Sequence, residues 1–261
     1  MVTMDRRDFL KKTAMVAAGT AIAAPVSAML TKAESAGLLE NETAPQPTTI
    51  NAGKPKVLLV NGSPRPDGNT FCALSEIETQ LRTLGVETEL LQIGQKPVRM
   101  CINCGGCHQS GKPGCVFDDD LCNTIVKKMA ESDALVVGTP VYYGQPNGGI
   151  LSLMQRVFFS SSAYLQNKPA AAVAVCRRGG ATATLQTMNM MFEMTSMPVI
   201  GSQYWNIVYG RDKGEAKLDK EGMQTMRTLA SNMAWLLEKI HAGGSPTPVR
   251  EKQREVTNFI R

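Results

Sequence analysis

Short apolar runs alternate with amphipathic stretches through the middle of the chain, and this alternation constrains the fold more than any other feature. The run Lys56–Val60 is continuous and rich in Val and Leu, which is typical of a central parallel strand. A turn rich in Gly, Pro and Asp follows it. The next stretch, from Asn69 to Leu84, has apolar residues recurring close to every 3.6 positions, which predicts a helix. Gly85 ends this predicted helix.

The same pattern of strand and helix repeats to the end of the domain. The further predicted strands are Glu87–Ile93, Ala134–Gly138, Ala170–Cys176 and Met197–Ile200, and the further helices are Asp119–Ser132, Gly148–Ala163, Thr182–Met194 and Lys220–His241. Five strands separated by helices predict an α/β fold, with a doubly wound five-stranded parallel sheet and helices on both faces. Ligands of such sheets bind beyond the carboxyl ends of the strands. Three loops leave strands at that edge: Asn61–Thr70, Thr139–Asn147 and Arg177–Ala181.

The first 28 residues differ from the rest of the chain. Arg6 and Arg7 are followed by a mildly apolar stretch, Thr13–Ala24, and by small residues up to Ala28. This pattern resembles a twin-arginine (Tat) export signal, although Asp5 stands where Ser or Thr is usual. About twelve apolar or small residues are too few for a membrane span, which needs roughly twenty. We therefore predict a periplasmic protein, exported via Tat and then cleaved, with an uncleaved anchor as the alternative.

The remaining boundaries and the charge limit the possible functions. Residues 29–53 are polar and lack apolar periodicity, which predicts a linker; residues 54–242 form one domain and residues 243–261 a tail. The formal net charge is +5, of which residues 1–28 supply +2 through four basic and two acidic side chains. The mature chain, at about +3, has no basic stripe, which argues against nucleic acid and anionic lipid as partners. No stable membrane span is expected after cleavage of the signal.

The loop Asn61–Thr70 follows a predicted buried strand and opens a helix, which is the context of an anion-binding turn. The helix presents unpaired N–H groups, Ser63 and Thr70 add hydroxyl donors, and Arg65 adds a positive charge. Asn69 is predicted to cap the helix. The loop is neither a Walker loop nor the dinucleotide fingerprint. Its spacing predicts an anion site, or alternatively a plain βα turn with good caps.

This loop resembles the phosphate loop of the NADPH-dependent FMN reductase family and of the related iron–sulfur flavoproteins, and the likeness extends over nearly all of Lys54–His241. The resemblance implies a flavodoxin-like fold with strand order 2-1-3-4-5. It also implies that Ser63, Arg65, Asn69 and Thr70 bind the FMN phosphate. A homodimer or homotetramer, with FMN near the interface, is implied in the same way.

The other two loops complete the predicted flavin site. Thr139–Asn147 resembles the family's Pro-x-Tyr loop beside the isoalloxazine, which implies flavin contacts from five consecutive residues. These are Pro140, Val141, Tyr142, Tyr143 and Gly144. Gly179 and Gly180 would let the backbone of the third loop lie near the pyrimidine side of the flavin, with an ordinary turn as the alternative. One departure is Gln155-Arg156, because the family often has Asp-Arg there, and it leaves the role of that acid in doubt.

Four of the seven cysteines form the motif C-x2-C-x2-C-x7-C in a glycine-rich insertion, residues 94–118: Cys101, Cys104, Cys107 and Cys115. Short gaps let thiolates converge on one point, as a cubane iron–sulfur cluster requires. Zinc would accept four thiolates but usually takes them as two separated pairs, and disulfides are awkward at these gaps. A loop of free thiols is the remaining alternative. Resemblance to the iron–sulfur flavoproteins implies a [4Fe-4S] cluster on these four cysteines, despite a longer final gap.

Two histidines, with no readable catalytic triad or paired carboxylates, leave little scope for acid–base catalysis, so redox chemistry carried by cofactors fits better. We predict an FMN-dependent oxidoreductase that transfers electrons through FMN and a [4Fe-4S] cluster to a small acceptor or a protein redox partner. NAD(P)H is a candidate donor, although export counts against it because nicotinamide cofactors are scarce outside the cytoplasm. The alternatives are a non-enzymatic flavin electron carrier and a flavodoxin-like module whose cysteine loop binds zinc or forms disulfides.

Overall fold

The computed structural model describes residues 53–243 and residue 248. The predicted Tat signal, residues 1–28, lies outside the described residues, as do the predicted linker up to residue 52 and nearly all of the predicted tail. Within the described part of the chain, no helix is both long enough and apolar enough to cross a bilayer.

A parallel sheet runs through the centre of the domain. Its strands are β1 (Lys56–Asn61), β2 (Glu87–Gln92), β3 (Ala134–Tyr142), β4 (Gln145–Pro146), β5 (Ala170–Cys176) and β6 (Ile207–Tyr209). The parallel strands lie in the order β2-β1-β3-β5-β6, and the short β4 pairs antiparallel with the end of β3. Counted along the chain without β4, this is the order 2-1-3-4-5, so the predicted doubly wound sheet is confirmed.

Helices cover both faces of the sheet. They are α1 (Asn69–Thr83), α2 (Gly106–Gln109), α3 (Cys122–Ala130), α4 (Gly148–Leu165), α5 (Ala181–Met194) and α6 (Lys220–His241). Alternate residues of a strand face opposite sides of a sheet. Leu58 and Val60 therefore pack into a core with α3, α4 and α5, whereas Val57 and Leu59 pack into a second core with α1 and α6.

The fifth parallel strand lies later in the chain than the sequence predicts. The predicted segment, Met197–Ile200, makes only an isolated parallel bridge, between Val199 and Ala170. Pro198 has no N–H to donate, and proline interrupts strand pairing. The fifth place is taken by β6, which pairs with the end of β5. This correction also moves the loop after the last strand to residues 210–216, whose end is the start of a 3₁₀ helix, Glu215–Leu218.

Candidate functional site

The first loop is fixed to its neighbouring strands by side-chain amides. Asn61, at the end of β1, accepts a hydrogen bond from the Ser63 N–H at 3.0 Å and donates to the Gln92 side chain at 2.5 Å. Gln92, at the end of β2, donates in turn to the Ser63 carbonyl at 2.5 Å. Gly62 donates its N–H to the Gly138 carbonyl of β3 at 2.7 Å, and a Cβ on Gly62 would lie 2.8 Å from that oxygen. The loop is therefore held in one shape, and only glycine fits at its second position.

Helix α1 begins at the end of this loop with an open N-terminus. Its N-cap is Gly68, which has no side chain to accept from the first-turn N–H groups. Thr70, in that first turn, and Ser63, in the loop, are buried, at 2% and 4% exposure, whereas Arg65 is exposed. Ser63 Oγ accepts from the Arg65 N–H at 3.1 Å, so its own O–H remains a donor. The N–H groups, the two hydroxyls and the positive end of the helix dipole together have the chemistry that binds an anion.

Asn69 does not cap α1, so the prediction that it does is wrong. Its side-chain oxygen accepts from the N–H groups of Gly214, at 3.0 Å, and Ala216, at 3.1 Å. Its side-chain NH₂ donates to the Asp212 carbonyl at 2.9 Å. All of these partners follow β6, so the amide fastens the loop after β6 to the start of α1.

Sequence reasoning missed this fourth loop, residues 210–216, which packs against the first loop and the start of α1. A Cβ on Gly210 would lie 2.8 Å from Asn69 Nδ2, so the loop packs directly on the asparagine. Lys213 forms an ion pair with Asp67 of the first loop, and its hydrogen bond holds the pKa of Asp67 below the usual value. A glycine-bearing loop directly after a strand is the signal that could have identified residues 210–216. The fifth strand was predicted at Met197–Ile200, so these residues did not follow a predicted strand.

The second loop is a tight hairpin between β3 and β4. Its central residues, Tyr143 and Gly144, have φ of 50° and 78°, the positive pair that a type I′ turn requires. The hairpin is fixed at its base, where Thr139 Oγ1 accepts from the Asn147 N–H at 3.1 Å. The side chains of Tyr142 and Tyr143 are exposed, and Tyr143 holds its positive φ without packing that would account for it. The hairpin therefore presents two uncovered aromatic rings.

The third loop packs against this hairpin. Gly180 has φ of 86°, and a Cβ there would lie 2.6 Å from the Gly144 Cα and 3.0 Å from Val141 Cγ1. Gly179 borders open space, and Pro140, at the start of the hairpin, is half-buried. The structure thus brings the predicted flavin residues of the second and third loops together at the ends of the adjacent strands β3 and β5.

The four motif cysteines line one pocket. Cys101 and Cys104 are exposed, whereas Cys107 and Cys115 are half-buried. Burial raises the pKa of the Cys107 thiol, and the neighbouring Cys115 and Cys104 raise it further. Within the described ranges, 53–243 and 248, no group of three or more His, Cys, Asp or Glu side chains is arranged around a metal-ion position. The structure gathers the four predicted ligands at one pocket, and their coordination stays a prediction.

Helices α3 and α4 hold the end of the cysteine insertion. Asn123, on α3, accepts from the Cys115 N–H at 2.8 Å and donates to the Cys115 carbonyl at 2.9 Å. Gly114, with φ of 112°, donates its N–H to the Ser160 carbonyl of α4 at 3.3 Å. A Cβ on Gly114 would lie 2.7 Å from the Asn123 side-chain oxygen, so the close packing requires glycine.

A buried arginine of α4 lines the same pocket. Arg156 donates to the carbonyls of Arg99, at 3.2 Å, and Phe117, at 3.1 Å, and it pairs with the buried carboxylate of Asp120. Burial alone would lower the pKa of Arg156, but the neighbouring Cys115 and Asp120 raise it above its usual value. Sequence reasoning missed this ion pair, because its acid lies before α3 and no local pattern links the two residues.

Residues 55–212 match the family model described as NADPH-dependent FMN reductase. The chain belongs to the NADPH-dependent FMN reductase family. The chain is also similar to proteins named iron–sulfur flavoproteins. The chain is 35% identical over 193 residues to one from Methanocaldococcus jannaschii, covering 71% of this chain and 98% of the relative. It is 30% identical over 191 residues to one from Methanosarcina thermophila, covering 71% of this chain and 96% of that relative.

A solved structure resembles this FMN reductase family member in fold. RosB with bound 8-demethyl-8-formylriboflavin-5′-phosphate matches with a TM-score of 0.55 at 17% sequence identity, covering 72% of this chain and 81% of RosB. At this identity the likeness concerns the fold alone.

The protein is therefore a flavin-dependent oxidoreductase, and its family identifies FMN as the flavin. The open start of α1, with the buried hydroxyls of Ser63 and Thr70, fits the phosphate of FMN. Four thiols at one pocket are the donor set that an iron–sulfur cluster takes. The start of α1 thus fits the FMN phosphate, and the four cysteines fit a cluster by their donor chemistry, although their thiols are not arranged around one metal position.

Proposed function

We propose that this FMN reductase family member binds its FMN phosphate at the N-terminus of α1. Ser63 and Thr70 donate their hydroxyls, Arg65 supplies a positive charge, and Asn69 contributes its backbone N–H because its side chain holds the loop after β6. The observation that carries this proposal is the open helix start next to two buried hydroxyls.

The isoalloxazine is proposed to lie between the hairpin, Pro140–Gly144, and the loop Gly179–Gly180. The exposed rings of Tyr142 and Tyr143 are available to cover a face of the flavin. Glycine backbone after β5 permits a close approach to its polar edge, and the exposed Arg178 adds a positive charge that favours a reduced, anionic flavin.

The cysteine pocket is proposed to hold a [4Fe-4S] cluster on Cys101, Cys104, Cys107 and Cys115. The gathering of these thiols at one pocket supports this, as do the relatives named iron–sulfur flavoproteins. When bound, FMN would supply two-electron chemistry and the cluster one-electron transfer. The electrons are proposed to come from NAD(P)H or a redox partner and to pass to a small molecule or a protein.

A UV–visible spectrum of the full chain, purified without oxygen, tests both cofactors when it is combined with iron and sulfide analysis. We expect flavin bands with a broad shoulder at longer wavelength, and about four iron atoms and four sulfides per chain. A colourless protein would overturn the whole proposal. Flavin without iron would remove the cluster and retain the FMN site.

The phosphate site is tested by titrating flavin-free protein with FMN. Thr70→Val removes one hydroxyl from a charge-assisted contact, so we expect a loss of about 1.5–3 kcal/mol, roughly a ten- to hundredfold rise in Kd. Thr83→Val, at the far end of α1, is the matched control and should bind FMN normally. Equal affinity in the two variants would contradict the assignment.

Rapid mixing with NADPH or NADH identifies the electron source. Bleaching of the flavin band within seconds would support a reductase. An unbleached flavin that dithionite still reduces would instead support a carrier that is charged by a protein partner.

We also propose export through the Tat system, on the pattern around Arg6 and Arg7. Replacing both arginines by lysine should leave the precursor in the cytoplasm, whereas Lys12→Gln should not. Wild-type protein found at full mass in the membrane fraction would instead support the uncleaved anchor.

A homodimer or homotetramer is proposed as the working form. Tyr142, Tyr143 and Tyr209 lie exposed at the carboxyl ends of β3 and β6, where a second subunit would cover them. Light scattering of the FMN-loaded protein should give twice or four times the monomer mass, and a monomer at micromolar concentration would contradict this.

A further inference from the structure

A buried guanidinium with one unused donor faces the cysteine pocket. Arg156 is 2% exposed and is the largest fully buried side chain in the described part of the chain. Its terminal nitrogens are occupied by the Arg99 and Phe117 carbonyls and by Asp120. Its Nε is buried and has no hydrogen-bond partner among residues 53–243 and 248. Because a buried N–H without an acceptor is unfavourable, a missing acceptor is expected at this position.

The cysteine pocket can supply that acceptor. Arg156 lines it together with all four motif cysteines. Cys115 lies near enough to the guanidinium to contribute, with Asp120, to raising the pKa of Arg156. Thiolate and sulfide sulfurs of an iron–sulfur cluster accept N–H hydrogen bonds, and such bonds are among the factors that set its reduction potential.

We propose that the Arg156 Nε–H donates to the Cys115 sulfur, or to a cluster sulfide beside it, and thereby raises the reduction potential of the cluster. The inference rests on the proposed cluster. An added electron makes the sulfurs more negative, so an N–H directed at them stabilises the reduced state. Asp120 balances the charge of the guanidinium. The directed N–H therefore makes the main contribution to the change in the reduction potential of the cluster. Arg156 is a positioning residue, and no bond is made or broken in this role.

Two variants separate this role from simple folding. Arg156→Lys keeps a positive charge for Asp120 and removes the Nε–H. The double variant Arg156→Gln with Asp120→Asn removes both buried charges together, which avoids leaving an unpaired carboxylate inside the protein. Arg99→Gln is the matched control, because Arg99 lies in the cysteine insertion and its exposed side chain pairs with Asp119. Iron, sulfide and FMN are measured in each full-length protein, and both potentials are determined by EPR-monitored and optical titration.

We expect both Arg156 variants to keep FMN and iron and to lower the ratio of reduced to oxidised cluster about tenfold at a fixed potential, which is about 59 mV for a one-electron couple. The FMN potential, and both potentials of Arg99→Gln, should match wild type. An unchanged cluster potential in iron-loaded Arg156→Lys overturns the proposal, as does an equal shift in Arg99→Gln. Loss of iron from both Arg156 variants, with FMN retained, also overturns it, because the residue would then be a clamp alone. Wild-type protein without iron or sulfide refutes the cluster itself, which is a different result from all of these.

Discussion

Gly180 lies against Gly144 so closely that a Cβ on Gly180 would come within 2.6 Å of the Gly144 Cα. Gly180 also has φ of 86°, a conformation that strains any residue with a side chain. This contact joins the hairpin after β3 to the loop after β5. It therefore sets the distance between two sides of the proposed flavin site.

Gly180→Ala should weaken FMN binding about tenfold, or about 1.4 kcal/mol, because the added methyl group displaces the hairpin. Fluorescence titration of the flavin-free protein measures this. Gly201→Ala is the control, since a Cβ there meets nothing within 4 Å and the residue lies outside the proposed flavin contacts. An equal loss of affinity in both variants would show that the Gly180–Gly144 contact is not the cause.

Asn69→Ala should release the loop 210–216, because three hydrogen bonds to it are lost. We expect the free energy of unfolding to fall by about 1–3 kcal/mol and amide exchange to accelerate within that loop. Hydrogen-exchange mass spectrometry checks both the size and the place of the effect. Asp67→Asn removes only the exposed ion pair with Lys213 and should leave exchange nearly unchanged.

Asn123→Ala should loosen Cys115, since both backbone hydrogen bonds of that residue depend on the amide. We expect iron to be lost to a chelator about tenfold more readily, with FMN content unchanged. Lys127→Ala changes an exposed residue of the same helix and should behave as wild type. Iron retention equal to wild type in Asn123→Ala would count against a ligand role for Cys115.

Lys168 should make stability depend on pH. Its side chain is 6% exposed, and burial lowers the pKa of Lys168 from its ordinary value of 10.5 to about 8. Between about pH 8 and 10.5 the unfolded chain therefore binds the proton that the folded chain has lost. Stability rises with pH in that window, by at most about 1.4 kcal/mol per pH unit, and is level with respect to this group below it.

Lys168→Met should remove that slope. The buried ammonium also donates to the Met129 and Ser132 carbonyls, so the variant is expected to be less stable overall, but its slope is an independent readout. Urea unfolding of both proteins from pH 7 to 10.5 gives the comparison, with Lys217→Met as the exposed control. Parallel curves for wild type and Lys168→Met would contradict the prediction.

The sheet order and most helices were predictable because their signals are local. Lys56–Val60 reads as a buried strand without knowledge of its neighbours, and the apolar period after Asn69 predicts α1 in the same way. The fifth strand was not predictable from apolarity alone. The apolar run that contains Pro198 gave the stronger local signal for a strand. The true strand, β6, has only three residues, and its pairing depends on where β5 ends.

The same distinction between local signals and long-range contacts applies to the candidate site. The positions of Ser63, Thr70 and the four cysteines follow from their loops: the structure places Ser63 and Thr70 at the start of α1 and the four cysteines at one pocket, and their ligand roles stay predictions. Asn69 was given the wrong partner, since a cap is a local role and its true partners lie far along the chain. The pair of Arg156 and Asp120 is equally long-range, and only the folded arrangement of α3 and α4 reveals it.

The residues that line the cysteine pocket are synthesised at two different stages of translation. Its thiols belong to residues 101–115, but Arg156, Phe159 and Ser160, which close it, leave the ribosome later. A nascent chain that ends before α4 carries every cysteine and lacks the cavity that gathers them. For the proposed cluster, iron would therefore meet a complete pocket only after α4 has been made and has docked on the sheet.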